Sequence, residues 1–410
     1  MKSTHKRFLL SIVSVGLLTI YGCGGGSDDD SMTTPTSVGV LTDSAVGGVQ
    51  YTTSGGFSGV TDADGHYKFN PGEEVTFKIG AIALGTVTAA STITPIQLAG
   101  SGVTSANKVV NLLVLLQSLD ADNNPANGIT ISAATLAAAA NAGSLDLTQA
   151  PALFASTGNT TVTSLMSGSG LVRTTLVDPA TAQLHFKDEF FKQIQGSWTT
   201  STSESTAVFQ IDGAGKYSLG EVGPAVDGGH SGTEVGEMDW NPVTGAITPF
   251  NIQSDTNGAW GAYPIVGTTT VRLDGDKLIV TKGTQSTTFV PMTRDASNPL
   301  IGTWSMAGST FTFFANGKYM MADPVGDGNA IAEGRQPCNV GGGIEYGNYT
   351  FNVATGAFAL PTPPSVDTNN CAGLSHTGDS NKFTITFNSD QSTFTATFPE
   401  GVEVASRLSN

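Results

Sequence analysis

Apolar and polar side chains alternate along most of this chain, and the period of the alternation changes in only a few places. Val75, Phe77 and Ile79 alternate with Thr76 and Lys78, and Phe383, Ile385 and Phe387 repeat the pattern near the other end. A period of two belongs to strands with one buried face. Turn signals such as Asp62-Ala63-Asp64-Gly65, Asp274-Gly275 and Asn316-Gly317 separate the short runs, with glycine free to take positive φ. From Thr104 to Leu119 the period becomes helical. Val109, Val110, Leu112, Leu113, Leu116 and Leu119, with Val114 and Leu115, predict a helix that is apolar nearly all round, with Asn111 and Gln117 as interruptions. It is too short to cross a membrane, so burial is expected. Ser132 to Ala142 predicts an Ala-rich second helix. Pro179 to Gln195 predicts a third, with Pro179 suited to a first turn and Leu184, Phe186, Phe190, Phe191 and Ile194 as its apolar face. Residues 145–178 are rich in Ser, Thr and Gly and show no clear period.

The start of the chain obeys neither period. Lys2, Lys6 and Arg7 precede an apolar run from Phe8, interrupted by Ser11, Ser14 and Gly16 and ending at Gly22-Cys23. A basic head, a short apolar run and a small residue make a secretory signal, expected over residues 1–22. Ile20-Tyr21-Gly22-Cys23 resembles the lipobox of bacterial lipoproteins, with Tyr21 departing from the small residue usual there. The resemblance implies that Cys23 is acylated and becomes the first mature residue. Gly24 follows it, which in enterobacterial lipoproteins implies export to the outer membrane. Residues 23–37, with Asp28, Asp29 and Asp30, then read as a flexible lipidated linker.

Composition narrows the setting. The 410 residues carry a formal net charge of −16, a sign opposed to nucleic acid and to adhesion on anionic lipid. Charged residues make up 13% of the chain, against about 25% in ordinary globular domains. With Gly at 51 and abundant Ser and Thr, this is the texture of an extracellular β-rich protein. After Cys23 only Cys338 and Cys371 remain, and in an oxidising compartment two cysteines read most simply as one disulfide.

Four segments follow the linker. Residues 38–99 contain Gly39-Val40-Leu41-Thr42-Asp43 and then Thr61-Asp62-Ala63-Asp64-Gly65-His66-Tyr67. They resemble the carboxypeptidase regulatory-like, transthyretin-type β-sandwich, a module that implies a stalk or accessory role. Residues 100–195 are expected to form a small helical subdomain completing that sandwich. Residues 196–297 and 298–410 repeat one another. Gly196-Ser197-Trp198 returns as Gly302-Thr303-Trp304, and Gly215-Lys216-Tyr217 as Gly317-Lys318-Tyr319. Glu234-Val235-Gly236 returns as Glu345-Tyr346-Gly347, and Asn241 to Ile247 as Asn352 to Phe358. The offset varies between 102 and 111 positions across these pairs, as a tandem duplication with loop insertions requires. Each copy holds about eight strand candidates, enough for a small antiparallel up-and-down barrel. The opening Gly-x-Trp is similar to the lipocalin-like barrels of bacterial lipoproteins. Two sheets shared between the repeats form the competing architecture. The fold class expected is mainly β: a sandwich with a small helical part, then two tandem barrel-like repeats.

Candidate chemistry is sparse. No H-E-x-x-H, G-x-S-x-G, P-loop or C-x-x-C occurs, so no catalytic residues, cofactor or metal set is assigned. His230 stands beside Ser231 and near Glu234 and Glu237, but those two glutamates are expected on opposite strand faces. Asp120, Asp122 and Asn124 alternate as calcium ligands do, yet Pro125 and Ile131 stand where an EF-hand needs Gly and Glu. That loop is open to either a cation or a purely structural reading. Trp198 with Trp304 and Tyr217 with Tyr319 are expected in barrel cores. Asp255-Thr256-Asn257 also returns as Asp367-Thr368-Asn369, but the polar residues that a reaction would require are not expected to recur, since neither His230 nor His376 has a histidine at its place in the other copy. Function is therefore expected to be non-catalytic: a lipid-anchored outer-membrane module that binds a surface glycan or protein. The alternative is a lipocalin-like carrier of a small apolar ligand, and no nucleic-acid partner is expected.

Overall fold

The computed structural model describes residues 35–156, 159–264, 267–325, 342–368, 373–376, 382–399 and 401–408. Cys23, Cys338 and Cys371, and with them the lipidation site, the signal segment and the disulfide, lie outside the described residues. What is described is mainly β. No helix among the described residues is long and apolar enough to cross a membrane.

Eight short strands open the fold: β1 (Ser37–Leu41), β2 (Val46–Gly47), β3 (Gln50–Thr53), β4 (Ser58–Val60), β5 (His66–Phe69), β6 (Glu74–Ile79), β7 (Ile82–Thr88) and β8 (Thr92–Ile93). They form one sheet in the order β5-β1-β8 and another in the order β4-β3-β6-β7. Tyr67 of the first sheet meets Tyr51 and Phe77 of the second, at ring-centroid distances of 5.8 and 5.2 Å. These aromatic contacts join the sheets into a sandwich. β2 pairs in parallel with β9 (Ile129–Thr130), which stitches the following helical segment onto it.

That segment holds α1 (Pro95–Ala99), α2 (Ser105–Ser118), α3 (Ala133–Ala139), α4 (Pro151–Phe154), α5 (Thr160–Gly168) and α6 (Pro179–Ile194). α2 is buried on every side from Val109 to Ser118. Its two polar residues anchor neighbouring segments. Asn111 Nδ2 donates to the carbonyls of Leu147 and Gln149 at 2.9 and 2.8 Å. Gln117 Nε2 donates to Asp43 Oδ2 at 2.9 Å and to the Ala182 carbonyl at 3.0 Å. A buried amide bound on both sides fixes the packing of three segments at once. On α6 the buried face is Ala182, Phe186, Phe190, Phe191 and Ile194. Leu184 does not belong to it, being 57% exposed, because two positions from Phe186 turn it to the far side of a helix.

The first eight-stranded sheet comprises β10 (Gly196–Ser201), β11 (Thr206–Ile211), β12 (Lys216–Val222), β13 (Gly232–Trp240), β14 (Ile247–Asp255), β15 (Thr269–Asp274), β16 (Lys277–Lys282) and β17 (Gln285–Pro291). Its order is β14-β13-β12-β11-β10-β17-β16-β15. The last strand pairs back on the first, and the two ends of the sheet meet at the bridge between Ala246 and Thr270. The second sheet has ten strands: β18 (Gly302–Met306), β19 (Ser309–Phe313), β20 (Lys318–Asp323), β21 (Gly343–Asn348), β22 (Thr350–Phe351), β23 (Ala357–Ala359), β24 (Val366–Asp367), β25 (Lys382–Phe387), β26 (Thr393–Phe398) and β27 (Gly401–Leu408). It repeats the first path, with β13 divided into β21 and β22, and β14 into β23 and β24. Each repeat is thus a curled, barrel-like antiparallel sheet.

The likeness extends to single atoms. Trp198 Nε1 donates to the Ile194 carbonyl at 2.7 Å, and Trp304 Nε1 to the Leu300 carbonyl at 2.9 Å. Asn241 Oδ1 accepts from Val243 N and Thr244 N, as Asn352 Oδ1 does from Ala354 N and Thr355 N. Side chains fill both interiors. Trp198, Phe209, Tyr217 and Phe289 pack in the first, within a core continuous with the sandwich and helices. Trp304, Phe311, Phe313, Tyr319, Phe358, Phe383 and Phe394 pack in the second as a separate core.

The barrels meet through the same face of each copy. Val208, Gln210, Ser218 and Gly220 of β11 and β12 stand against Thr310, Thr312, Met320 and Ala322 of β19 and β20. Trp198 pairs with Phe209 in one copy and Trp304 with Phe311 in the other, so these are equivalent positions. Gly220 leaves room for Met320 of the other copy: a Cβ there would lie 2.9 Å from Met320 Sδ. The two repeats are related by a local two-fold, as in an isologous dimer.

Candidate functional site

Each barrel wall carries one buried glutamate at the same place. Glu234 lies on β13, buried, with Asp255 opposite it on β14. Glu345 lies on β21, buried, with Asp367 opposite it on β24. A buried carboxylate needs donors on both oxygens, and in each barrel they come from the same two sources.

The first source is the wall. The Tyr217 hydroxyl donates to Glu234 Oε1, and the Tyr319 hydroxyl to Glu345 Oε1. The second is a loop drawn over the carboxylate. Ala262 N and Tyr263 N donate to Glu234 Oε2 at 3.0 and 3.1 Å. In the second barrel Leu374 N donates to Glu345 Oε1 at 3.2 Å, and Ser375 N and Oγ donate to Oε2 at 3.3 and 2.5 Å. A glycine with positive φ precedes the donors in both loops. A Cβ on Gly261 (φ 75°) would sit 2.1 Å from Glu234 Oε2, and one on Gly373 (φ 113°) 2.3 Å from Glu345 Oε2. Only glycine fits both the backbone angle and the space.

The electrostatics follow from burial. Desolvation raises the carboxyls of Glu234 and Glu345 above their usual range, against the tyrosine and loop donors that favour the charged form. Burial, then the adjacent carboxylate, raises both tyrosine hydroxyls. A further acid on the same inward row differs between the copies, Glu221 in the first and Asp323 in the second. Burial pushes Glu221 up to about 7, and Asn257 Nδ2 donates to its Oε2 at 2.7 Å. Lys282 Nζ reaches the loop carbonyls of Ala259 and Gly261 at 3.3 and 3.4 Å. Each carboxylate is saturated by fixed donors, so its role is to pin a loop across the barrel.

A polar set therefore does recur, built from tyrosine and carboxylates and not from His230 or His376. Tyr217 and Tyr319, Glu234 and Glu345, and Asp255 and Asp367 are equivalent and stand together in each fold. The recurrence of Gly-Lys-Tyr and Glu-x-Gly carried the signal. What the spacing could not show is that tyrosine and glutamate face the same interior and share one hydrogen bond.

The other candidates separate. His230 is exposed, and its Nδ1 lies 3.2 Å from the Ser231 carbonyl, while Ser231 Oγ bonds the backbone of Gly223. Neither forms a relay, and Glu234 is committed to Tyr217. In the Asp120 loop, Asp120 Oδ2 and Asp122 Oδ1 accept from Asn124 N at 2.8 and 3.0 Å, and Asp120 Oδ1 accepts from Thr130 N at 2.9 Å. These carboxylates hold the backbone of their own loop. Asp62, Asp64 and His66 do come together, exposed, with Asp62 Oδ1 accepting from Asp64 N and His66 N at 3.0 and 2.8 Å. Asp43 is buried beneath α6. Its Oδ1 and His185 Nε2 face each other at 3.9 Å, both unpartnered in the described structure.

No family model matches the chain, and no curated protein matches it. Among solved structures, the DNA polymerase sliding clamp from Pseudomonas aeruginosa with ligand is 11% identical over 56% of this chain and 62% of that chain, with a TM-score of 0.10. The DnaN sliding clamp (DNA polymerase III subunit beta) from Pseudomonas aeruginosa bound to griselimycin is 10% identical over 53% and 57%, also at 0.10. The chain spans about three fifths of the length of these clamps. A TM-score of 0.10 carries no argument about fold or function, and the reading of this protein rests on its own residues.

Proposed function

We propose that this protein is a non-catalytic binding module, held at the bacterial outer membrane by an acylated Cys23. The observation that carries the non-catalytic part is the use made of Glu234 and Glu345. Each is the most deeply buried acid of its barrel wall and is spent on pinning a loop. A catalytic carboxylate needs access to substrate and a proton path, whereas these face a tyrosine and backbone amides. The filled interiors favour an adhesive or spacing module over an apolar carrier, because a carrier of this size holds an open cavity.

Two measurements on the full chain test this. Organic extraction and native mass spectrometry should find acyl chains at Cys23 and no stoichiometric apolar molecule besides them. An apolar ligand retained in equal amount after delipidation would establish the carrier instead. Cys23→Ser should leave membranes or remain unprocessed, and a variant that still fractionates with membranes at mature size, carrying lipid, would remove the anchor from the proposal.

A further inference from the structure

The outward side of the second sheet runs unbroken from the contact between the barrels to a part of the wall that is open to solvent. On β25, β26 and β27 the inward residues Phe383, Ile385, Phe394, Ala396 and Ala405 are buried. The residues between them point outward, and the strand register sets them in ranks. Thr384 stands beside Thr397, and Thr397 beside Val402. Thr386 stands beside Thr395, and Thr395 beside Val404. A third rank, Thr393 and Ser406, continues through Ser305 of β18 to Thr310 of β19. Thr310 already lies in the contact with the first barrel.

Two properties mark the open part. It is uncharged: none of the ranked positions holds an acid or a base, in a chain whose net charge is −16. A solvent-facing strand surface ordinarily carries charged side chains. Here Val402 and Val404 stand 63% and 57% exposed among threonines. Its chemistry is also that of the face already covered. In the contact between the barrels Thr303 and Thr312 stand opposite one another, both buried, with their Oγ1 atoms 3.0 Å apart. A cross-strand threonine pair that bonds to itself needs no donor from the surface packed on it. Thr384 with Thr397 and Thr386 with Thr395 are cross-strand pairs of the same kind, outside that contact.

We propose that the outward face of β25–β27 binds a second copy of this chain, about a two-fold axis passing near Thr395. A second copy brings the same charge of −16, so its approach is least opposed where both surfaces lack charge. The face is continuous with one that already mates with its own equivalent, and it offers the same small, β-branched side chains for a self-complementary contact. Four strands from β25 to β18, about 4.8 Å apart, and three ranks about 6.6 Å apart cover roughly 400 Å². Covering that face on both copies removes about 800 Å² from water, which is the size of a weak, reversible interface and not of a permanent one. The pair therefore gains most where copies are held close together. The inference goes beyond the binding-module reading and does not depend on Cys23.

Sedimentation velocity on the full chain in excess detergent, over a range of protein concentrations, provides the test. The unaltered chain should show a reversible monomer–dimer equilibrium that tightens severalfold as salt rises, because salt screens the like charge of the two copies. Thr395→Asp and Thr395→Lys should each weaken the dimer by roughly tenfold or more, since a two-fold axis sets each new charge against its own kind. Mixed in equal amounts, the two variants should pair with one another, which also shows that both are folded. Thr281→Asp, the same kind of change on β16 of the first barrel, should leave the equilibrium as it was. A chain that stays monomeric up to about 1 mM would overturn the proposal. So would a dimer indifferent to both Thr395 variants, variants that fail to pair when mixed, or a dimer lost equally in Thr281→Asp. None of these outcomes touches the mass-spectrometric test of the binding-module reading, so the two can fail separately.

Discussion

Gly261 rests directly against the carboxylate of Glu234, and Gly373 rests in the same way against Glu345. The two glycines therefore set how tightly each loop closes over its barrel. Gly261→Ala forces a Cβ into a space 2.1 Å from an oxygen, at a φ of 75°. It should cost about 2–4 kcal/mol, by strain and by loss of the loop bonds. Thermal unfolding should show the loss, with faster amide exchange at Ala262 and Tyr263.

Removing the wall donor tests the same pin from the other side. Tyr217→Phe and Tyr319→Phe each leave one oxygen of a buried carboxylate short of a donor, at about 1–3 kcal/mol. Replacing the partner too, as Tyr217→Phe with Glu234→Leu, should recover part of that cost. A double-mutant cycle showing no coupling between Tyr217 and Glu234 would contradict the shared bond.

How much of this was legible in the sequence depended on the kind of information. Strand alternation, the helices α2, α3 and α6 and the duplication all lie in local spacing, and the fold honours them. α5 escaped notice because its nine residues, Thr160 to Gly168, bury only Val162, Leu165 and Met166. Asn111 and Gln117 read as interruptions because a polar residue in an apolar run shows its cost and not its partner. The Tyr217–Glu234 bond was hidden for a related reason: it joins β12 to a residue on β13 that faces the same interior. Only the register of the two strands reveals it.

Stability should depend on pH through Asp43 and Glu221. Burial raises Asp43 to about 8, partly opposed by the Gln117 hydrogen bond, and it raises Glu221 to about 7. Both folded-state values lie above the ordinary carboxyl values, so the folded chain binds these protons more tightly than the unfolded chain does. Their contribution is full below about pH 4 and is lost as pH rises to about 8, at up to about 1.4 kcal/mol per pH unit for each group. Melting temperatures should therefore fall between pH 5 and pH 8. Asp43→Asn should flatten that fall, and an unchanged slope in the variant would exclude Asp43 as its source.

At the contact between the barrels, Gly220→Arg should separate the two halves without unfolding either. The side chain would enter the space held by Met320 Sδ, 2.9 Å from its Cβ. The second barrel's core is separate from the one that the first shares with the sandwich and helices, so calorimetry should resolve two transitions where the parent shows stronger coupling. Small-angle scattering should report a longer particle. A single cooperative loss of all structure would mean that the contact is required for folding.

A face that mates with its own copy is the hallmark of identical subunits. Joining two such subunits in one chain holds them at an effective concentration on the order of millimolar, with no new contact. It also ends the obligation to stay alike, since a substitution in one half no longer appears in the other. The differences now lie in Glu221 against Asp323, Gly220 against Ala322, and Trp240 under its helix against Phe351, which no helix of the described residues covers. Fusion let one half take the helix by which the chain enters it as a cap over the Trp240 end, while the other half, entered by a short loop, took a different residue there.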